Sequence, residues 1–173
     1  EITMTEAAEK GTHKVITEHS TVGIVVTTDG TICDIPREKY EAPEERAITE
    51  LKSIGKPFVV LLNSAEPASE TAIAIAEEIT ARYDVRCIRV NCMTLTEDDI
   101  AGIIRSVLEE FPLKSIGIFL PEWLEALPED NELRNELFAS IMDCSSSVCR
   151  IKDCRCAVDK LLQCECVLSL IHI

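Results

Sequence analysis

Short β-branched runs alternate with helical stretches over the first two thirds of this chain, and that order constrains its fold more than any other feature. Val22-Gly23-Ile24-Val25-Val26-Thr27 is apolar without strict alternation, which suits a strand buried on both faces. Thr28-Asp29-Gly30 then signals a turn, and a polar loop runs through Pro36. Glu44 to Ile54 carries Ala47, Ile48, Leu51 and Ile54 at helical spacing, with Gly55 as its stop. The unit repeats in Phe58-Val59-Val60-Leu61-Leu62, closed by Asn63-Ser64. Ser69 caps the next helix, whose inner stripe is Ala72, Ile73, Ala76 and Ile79. Val85 to Val90 makes a third strand. Thr96 caps a further helix, with Asp99 a near miss to the Ser/Thr-x-x-Glu capping box. That helix runs to Phe111-Pro112 on Ile100, Ile103, Ile104, Val107 and Leu108, and Lys114 to Leu120 is a last strand. Strand and helix in this order mean βαβ units, a parallel sheet and right-handed crossovers. The fold class is α/β.

Two flanking regions depart from the rhythm. Thr3 to Glu18 reads as a helix with a polar outer face. From Leu120 onward the strand signal stops, and Glu122 to Asp159 reads as a helical appendage broken near Pro128 and near the serines at 145–147. The expected division is 1–121 for the sheet region and 122–166 for the helical one. The tail 167–173 resembles translated sequencing-adapter read-through. The chain opens on Glu1-Ile2-Thr3-Met4, with neither an initiator Met nor a signal peptide, which reads as a start partway through a larger protein.

Composition narrows the function. The 173 residues hold 31 acids and 17 bases, a net charge of −14, which opposes a phosphate backbone as partner and excludes nucleic acid. The apolar fraction of 46% excludes a disordered acidic tail. No apolar run of about eighteen residues exists to span a membrane. Of nine cysteines, six crowd into Cys144, Cys149, Cys154, Cys156, Cys164 and Cys166. Their spacing lacks the paired knuckles of structural zinc, so free thiols in a reducing cytoplasm are the reading. His13 and His19 read as surface residues, and Glu97-Asp98-Asp99 as an acidic, capped helix start rather than a metal site. Trp123 is expected to wedge the junction between sheet and helices.

In an open α/β sheet, ligands bind outside the carboxyl ends of the strands. Here those ends are Thr27-Thr28-Asp29-Gly30, Asn63-Ser64-Ala65-Glu66 and Asn91-Cys92-Met93. An apolar strand ending in Asn-Lys-x-Asp is the arrangement by which P-loop GTPases read guanine. Asn63 matches it, Ser64 replaces the Lys, and Glu66 stands in for the Asp. Losing the Lys removes the surface on which the base stacks, and the longer carboxylate moves the acceptor, so the site tolerates ATP. An ordinary loop gives the same letters. No Gly-x-x-x-x-Gly-Lys-Ser/Thr phosphate loop occurs in the chain, and no Asp-x-x-Gly follows a strand.

The residues themselves carry a family resemblance. His19-Ser20-Thr21-Val22-Gly23-Ile24-Val25-Val26-Thr27-Thr28-Asp29-Gly30-Thr31, then Asp34-Ile35-Pro36-Arg37-Glu38-x-Tyr40, resembles the ATPase domain of the stage IV sporulation protein A family. Glu44-Glu45-Arg46, Glu50-Leu51-Lys52, Lys56-Pro57-Phe58, Leu62-Asn63-Ser64, Glu109-x-Phe111-Pro112 and Leu120-Pro121-x-Trp123 continue it in register. The resemblance implies a three-layer α/β/α sheet like that of P-loop NTPases, with its N-terminal half and the phosphate loop upstream of Glu1. It implies ATP and Mg2+ as cofactors of the full-length protein, with hydrolysis driving self-assembly into the basement layer of the spore coat. The partners implied are further copies of the protein, a small membrane-anchoring amphipathic peptide and other coat proteins. The implied location is the cytoplasmic, mother-cell side of the forespore surface. Catalytic residues are expected upstream, and the base side of the pocket is assigned to Asn63, Ser64, Glu66, Asn91 and Cys92. Two further readings stand beside it: a GTP-binding switch protein of the same fold, and a structural coat scaffold with a vestigial nucleotide site.

Overall fold

The computed structural model describes Thr3, Gly11 and residues 13–164. The chain divides into two compact units, Glu1–Glu110 and Phe111–Ile173. Within the described part of the first unit, a single π-helical turn, Val15–His19, precedes β1 (Gly23–Thr28). α1 (Glu38–Ile54), β2 (Phe58–Asn63), α2 (Glu70–Tyr83), β3 (Cys87–Val90) and α3 (Glu97–Glu109) follow. The second unit holds α4 (Glu122–Glu125), α5 (Glu132–Ser146) and α6 (Ile151–Leu162). The expected first helix is described only at its end, at Val15–His19; most of its start lies outside the described residues.

The three strands form a parallel sheet in the order β1-β2-β3, with Gly23 opposite Phe58 and Val60 opposite Cys87. β2 is central and wholly apolar up to Asn63, as a strand covered on both faces must be. On one face, Val25, Phe58 and Val60 pack with Ile48 and Leu51 of α1 and Ile79 of α2. Leu62 continues that face against Ala72 and Ala76. On the other face, Val59 and Leu61 pack with Val90 and with Ile103 and Val107 of α3. Ile48, Val59, Val60 and Leu62 are fully buried, each contributing about 1.5–3 kcal/mol relative to exposure.

Two surfaces of this half-sandwich are uncovered. Among the described residues β1 pairs only with β2, so its other edge is open. Ile24 and Val26 lie in register with Val59 and Leu61, hence on the α3 face, yet they are 48% and 60% exposed. Ile100, Ile104 and Leu108 of α3 are about as exposed. The expected stripe of α3 therefore splits: Ile103 and Val107 are its core, and the other three form a second, outward row.

The ends of the elements follow their sequence. α1 begins six residues before the expected start and carries Pro43 inside it. It stops at Gly55, left-handed at φ 71°, whose N–H bonds the Lys52 carbonyl. Ser69 caps α2 by accepting from the Ala72 N–H. Thr96 and Asp99 form a complete, reciprocal capping box, so aspartate does here what the sequence assigned to glutamate.

In the second unit the expected strand Lys114 to Leu120 is absent. Residues 115–120 lie outside any ladder, and the sole described pairing nearby is the antiparallel bridge of Pro112 with Arg150. A β-branched alternation specifies a strand only where a neighbour offers N–H and C=O groups, and none does here. The helical appendage matches expectation, with gaps at Pro128 and after Ser146. Trp123, expected at the junction, is 51% exposed, and Leu124 beside it fills the core of the second unit with Leu137 and Ile141. The tail 167–173 lies outside the described residues. No helix among the described residues is long and apolar enough to cross a membrane.

Candidate functional site

The carboxyl ends of the three parallel strands bring together three loops. Asn63 closes β2 opposite Thr28 of β1 and Val90 of β3. Its Oδ1 accepts the Cys92 N–H at 2.9 Å. The Ser64 N–H donates to the Val90 carbonyl at 2.9 Å. Asn91 returns the tie: its Nδ2 donates to the Ala65 carbonyl at 3.2 Å, and its Oδ1 accepts the Met93 N–H at 2.9 Å. Asn63, Asn91 and Cys92, picked from separate strand ends, are thus one cross-braced rim. Glu66, Cys92 and Met93 are exposed on it, Met93 to 84%.

Ser64 has a different place from the one expected. It is fully buried, and its hydroxyl accepts the Glu66 N–H at 3.0 Å. The same hydroxyl stands beside the carboxyl of Asp29. It therefore shapes the loop from within.

Asp29 and Thr31, read from the sequence as part of a turn, brace the same loops. Asp29 Oδ1 accepts both the Thr31 N–H at 3.0 Å and the Thr31 hydroxyl at 2.6 Å, an Asx turn. Thr31 Oγ1 in turn accepts the Ala65 N–H at 2.9 Å, fastening the β1 loop to the β2 loop. Asp29 Oδ2 is buried with no formed hydrogen bond, and Ser64 is the donor next to it. Burial pushes the Asp29 carboxyl upward, but the adjacent Ser64 hydroxyl and the hydrogen bonds from Thr31 outweigh it and hold the group below the usual carboxylate range. Gly30 completes the turn at φ 90°, where a Cβ would also meet the Arg37 backbone nitrogen at 3.2 Å. The signal for this turn was present in the letters: Thr-Asp-Gly-Thr is Asx-turn chemistry.

A buried ion pair supports the same strand end from below. Arg37 reaches Glu44 with both terminal nitrogens, at 2.6 and 2.9 Å. Its Nη1 also donates to Thr27 Oγ1 at 2.9 Å and to the Thr28 carbonyl at 3.2 Å. Thr27, Thr28 and Glu44 are all buried. Arg37, just before α1, and Glu44, in its second turn, thereby fix the backbone from which the Asp29 loop departs.

The arrangement presents an exposed carboxylate, Glu66, and an exposed thiol, Cys92, on cross-braced loops. Among the described residues no group of three or more His, Cys, Asp or Glu side chains is placed to hold a metal ion.

The model of the stage IV sporulation protein A ATPase domain matches residues 1–112, and that of the middle domain matches 113–171. The stage IV sporulation protein A of Bacillus subtilis (strain 168) is 40% identical over 147 residues, 85% of this chain and 30% of that protein. Its counterpart in Clostridioides difficile (strain 630) is 40% identical over 151 residues, 87% of this chain and 31% of the relative. The Bacillus anthracis protein is 38% identical over 147 residues, with 85% and 30% covered. The chain thus spans about 30% of the length of the curated relatives it matches. No solved structure matches it significantly.

Proposed function

The chain belongs to the stage IV sporulation protein A family, and from that premise we propose that it carries the base-recognition side of an ATP site. One observation carries the choice of base. The backbone N–H groups of Ser64, Ala65, Glu66, Cys92, Met93 and Thr94 are each already bonded within the protein. The carbonyl oxygen of guanine therefore finds no free donor among them and would lose a hydrogen bond on binding, a loss adenine does not suffer because it has no carbonyl. The exposed Glu66 carboxylate only accepts and can take an amino group of either base. Asn63 and Asn91 hold the loops that bear it.

The full-length protein, in this reading, is a P-loop-type ATPase that uses Mg2+. The open edge of β1, with the uncovered Ile24 and Val26 beside the outer row of α3, supports a sheet completed by a further strand and helix. The phosphate and metal side of the site belongs to that remainder, and no step of hydrolysis is assigned to the residues described here. Hydrolysis drives self-assembly of the protein into the basement layer of the spore coat on the mother-cell side of the forespore. Small amphipathic anchoring peptides and other coat proteins are its partners.

The test uses the full-length protein containing this chain. Mg2+-dependent hydrolysis of ATP over GTP, formation of a sedimenting polymer that requires ATP, and at least about a tenfold loss of ATP affinity in Asn63→Ala are the expected results. Preference for GTP would install the switch-protein reading instead. Polymer formation indifferent to nucleotide would install the structural scaffold.

A further inference from the structure

The second unit concentrates thiols that the nucleotide reading does not use. Five of the six clustered cysteines, Cys144, Cys149, Cys154, Cys156 and Cys164, lie in the described residues and are free. Cys144 sits on α5 one turn beyond Ile141 and is buried. Cys164 follows the end of α6 and packs, with Leu161, on the cluster of Leu124, Leu137 and Ile141. α5 and α6 pack against each other, and across that interface the Cys164 sulfur is a neighbour of the Cys144 thiol. The Cys164 sulfur also lies 3.5 Å from the Lys160 carbonyl. Cys149 and Cys156 are exposed, and Cys154 lines the same apolar cavity of about 350 Å3 as Cys144. No described His, Asp, Glu or further Cys joins the pair to make a metal site.

We propose that Cys144 and Cys164 are a modification site, a dithiol that closes to a disulfide and fastens the end of α6 to α5. α6 has reason to need the tie, because none of its residues is fully buried. The oxidant is a low-molecular-weight disulfide. Cys164, the more accessible thiol, attacks as the thiolate; the small S–S bond breaks, one small thiolate leaves, and a mixed disulfide forms on Cys164. Cys144 then gives up its proton to solvent and attacks the Cys164 sulfur, expelling the second small thiol. Two protein thiols are oxidised, one small disulfide is reduced to two thiols, and two protons pass to the leaving thiolates. Burial, reinforced by the neighbouring Cys164 sulfur, raises the Cys144 thiol above its ordinary range, so little of it is thiolate and Cys164 attacks first, leaving the Cys144 step to rely on proximity to the mixed disulfide.

The whole chain is titrated with mixtures of oxidised and reduced glutathione, alkylated, digested with trypsin without reduction, and read by mass spectrometry. Cys144 and Cys149 share the tryptic peptide 135–150, and Cys164 and Cys166 share 161–173, so C149S/C166S makes the assignment unique. Tandem fragmentation of the wild-type peptides gives the same answer if that variant fails to fold. The expected result is a Cys144–Cys164 link that forms before any other, reverses on reduction, and slows amide exchange in α6 by at least about tenfold. Linkage of Cys144 to Cys154 instead, linkage only after unfolding, or no linkage in excess oxidant would each overturn the proposal.

Discussion

Replacing Glu44 by alanine tests whether the buried ion pair holds the strand end that bears the candidate site. The Glu44 side chain is only 3% exposed and that of Arg37 16%, so neither charge is well screened by water. The substitution leaves the guanidinium with the Thr27 hydroxyl and the Thr28 carbonyl as its near partners. Removing one partner of such a pair costs about 3–5 kcal/mol. Glu41 and Glu78 face the same guanidinium and offset part of the loss, so the low end, about 3 kcal/mol, applies. At about 1.4 kcal/mol per tenfold, protection of the Val59 to Leu62 amides against hydrogen exchange falls about a hundredfold in E44A. Exchange read peptide by peptide keeps the measurement inside the first unit. The double variant R37M/E44L removes both charges and leaves only two neutral groups short of a donor, at about 1 kcal/mol each, so it is more stable than E44A. Protection in E44A within about threefold of wild type, or a double variant no better than E44A, would refute the reasoning.

Three further outcomes follow from the same geometry. Asp29, depressed in the folded state from a reference value of 3.8, adds stability that is fully present above that value and is lost as pH falls through its lower, native value. Asp29→Asn lacks this limb, so its urea midpoint drops less between pH 5 and pH 3 than that of wild type (about two pH units spanning the transition); equal drops would contradict the assignment. Thr96→Ala opens the capping box and costs about 1 kcal/mol, read as faster exchange in the first turn of α3 and not in α2. Cys87, pushed up to about 12 by burial, stays a thiol in mild base, so iodoacetamide modifies the exposed Cys33 and Cys92 well before it; equal rates would show that β3 opens freely.

The architecture was legible because β2 permits little else. Five apolar residues between Pro57 and Asn63 make a strand that needs covering on both faces, and the stripes of α1 and α2 have the spacing to cover one of them. Where reading failed, the missing quantity was a partner. Lys114 to Leu120 has the letters of a strand, but pairing is a property of two segments, and no ladder forms on it. The stripe of α3 has five apolar residues, but only Ile103 and Val107 meet the sheet, because the helix packs on β2 and β3 and leaves Ile24 and Val26 of β1 uncovered. α1 was read six residues short because Pro43 reads as a boundary. Within the second turn it forfeits one helical hydrogen bond, and Arg37–Glu44 secures the segment around it.

The site shows the same limit at finer grain. Asn63, Asn91 and Cys92 could be placed on one rim because strand ends are countable in sequence, and in a parallel sheet all of them open on one side. The direction of a side chain is not countable in that way. Ser64 occupies the position where a GTP-reading loop carries lysine, and on sequence alone the exchange is a loss of stacking surface. In the folded chain it is a gain elsewhere: a small hydroxyl fits under the loop, accepts the Glu66 N–H, and sits against Asp29, where a lysine stem has no room. Thr31 then closes the loop from the other strand. The departure at 64 and the Thr-Asp-Gly-Thr turn are therefore one feature, two halves of a single interior lock that leaves Glu66 as the carboxylate facing outward.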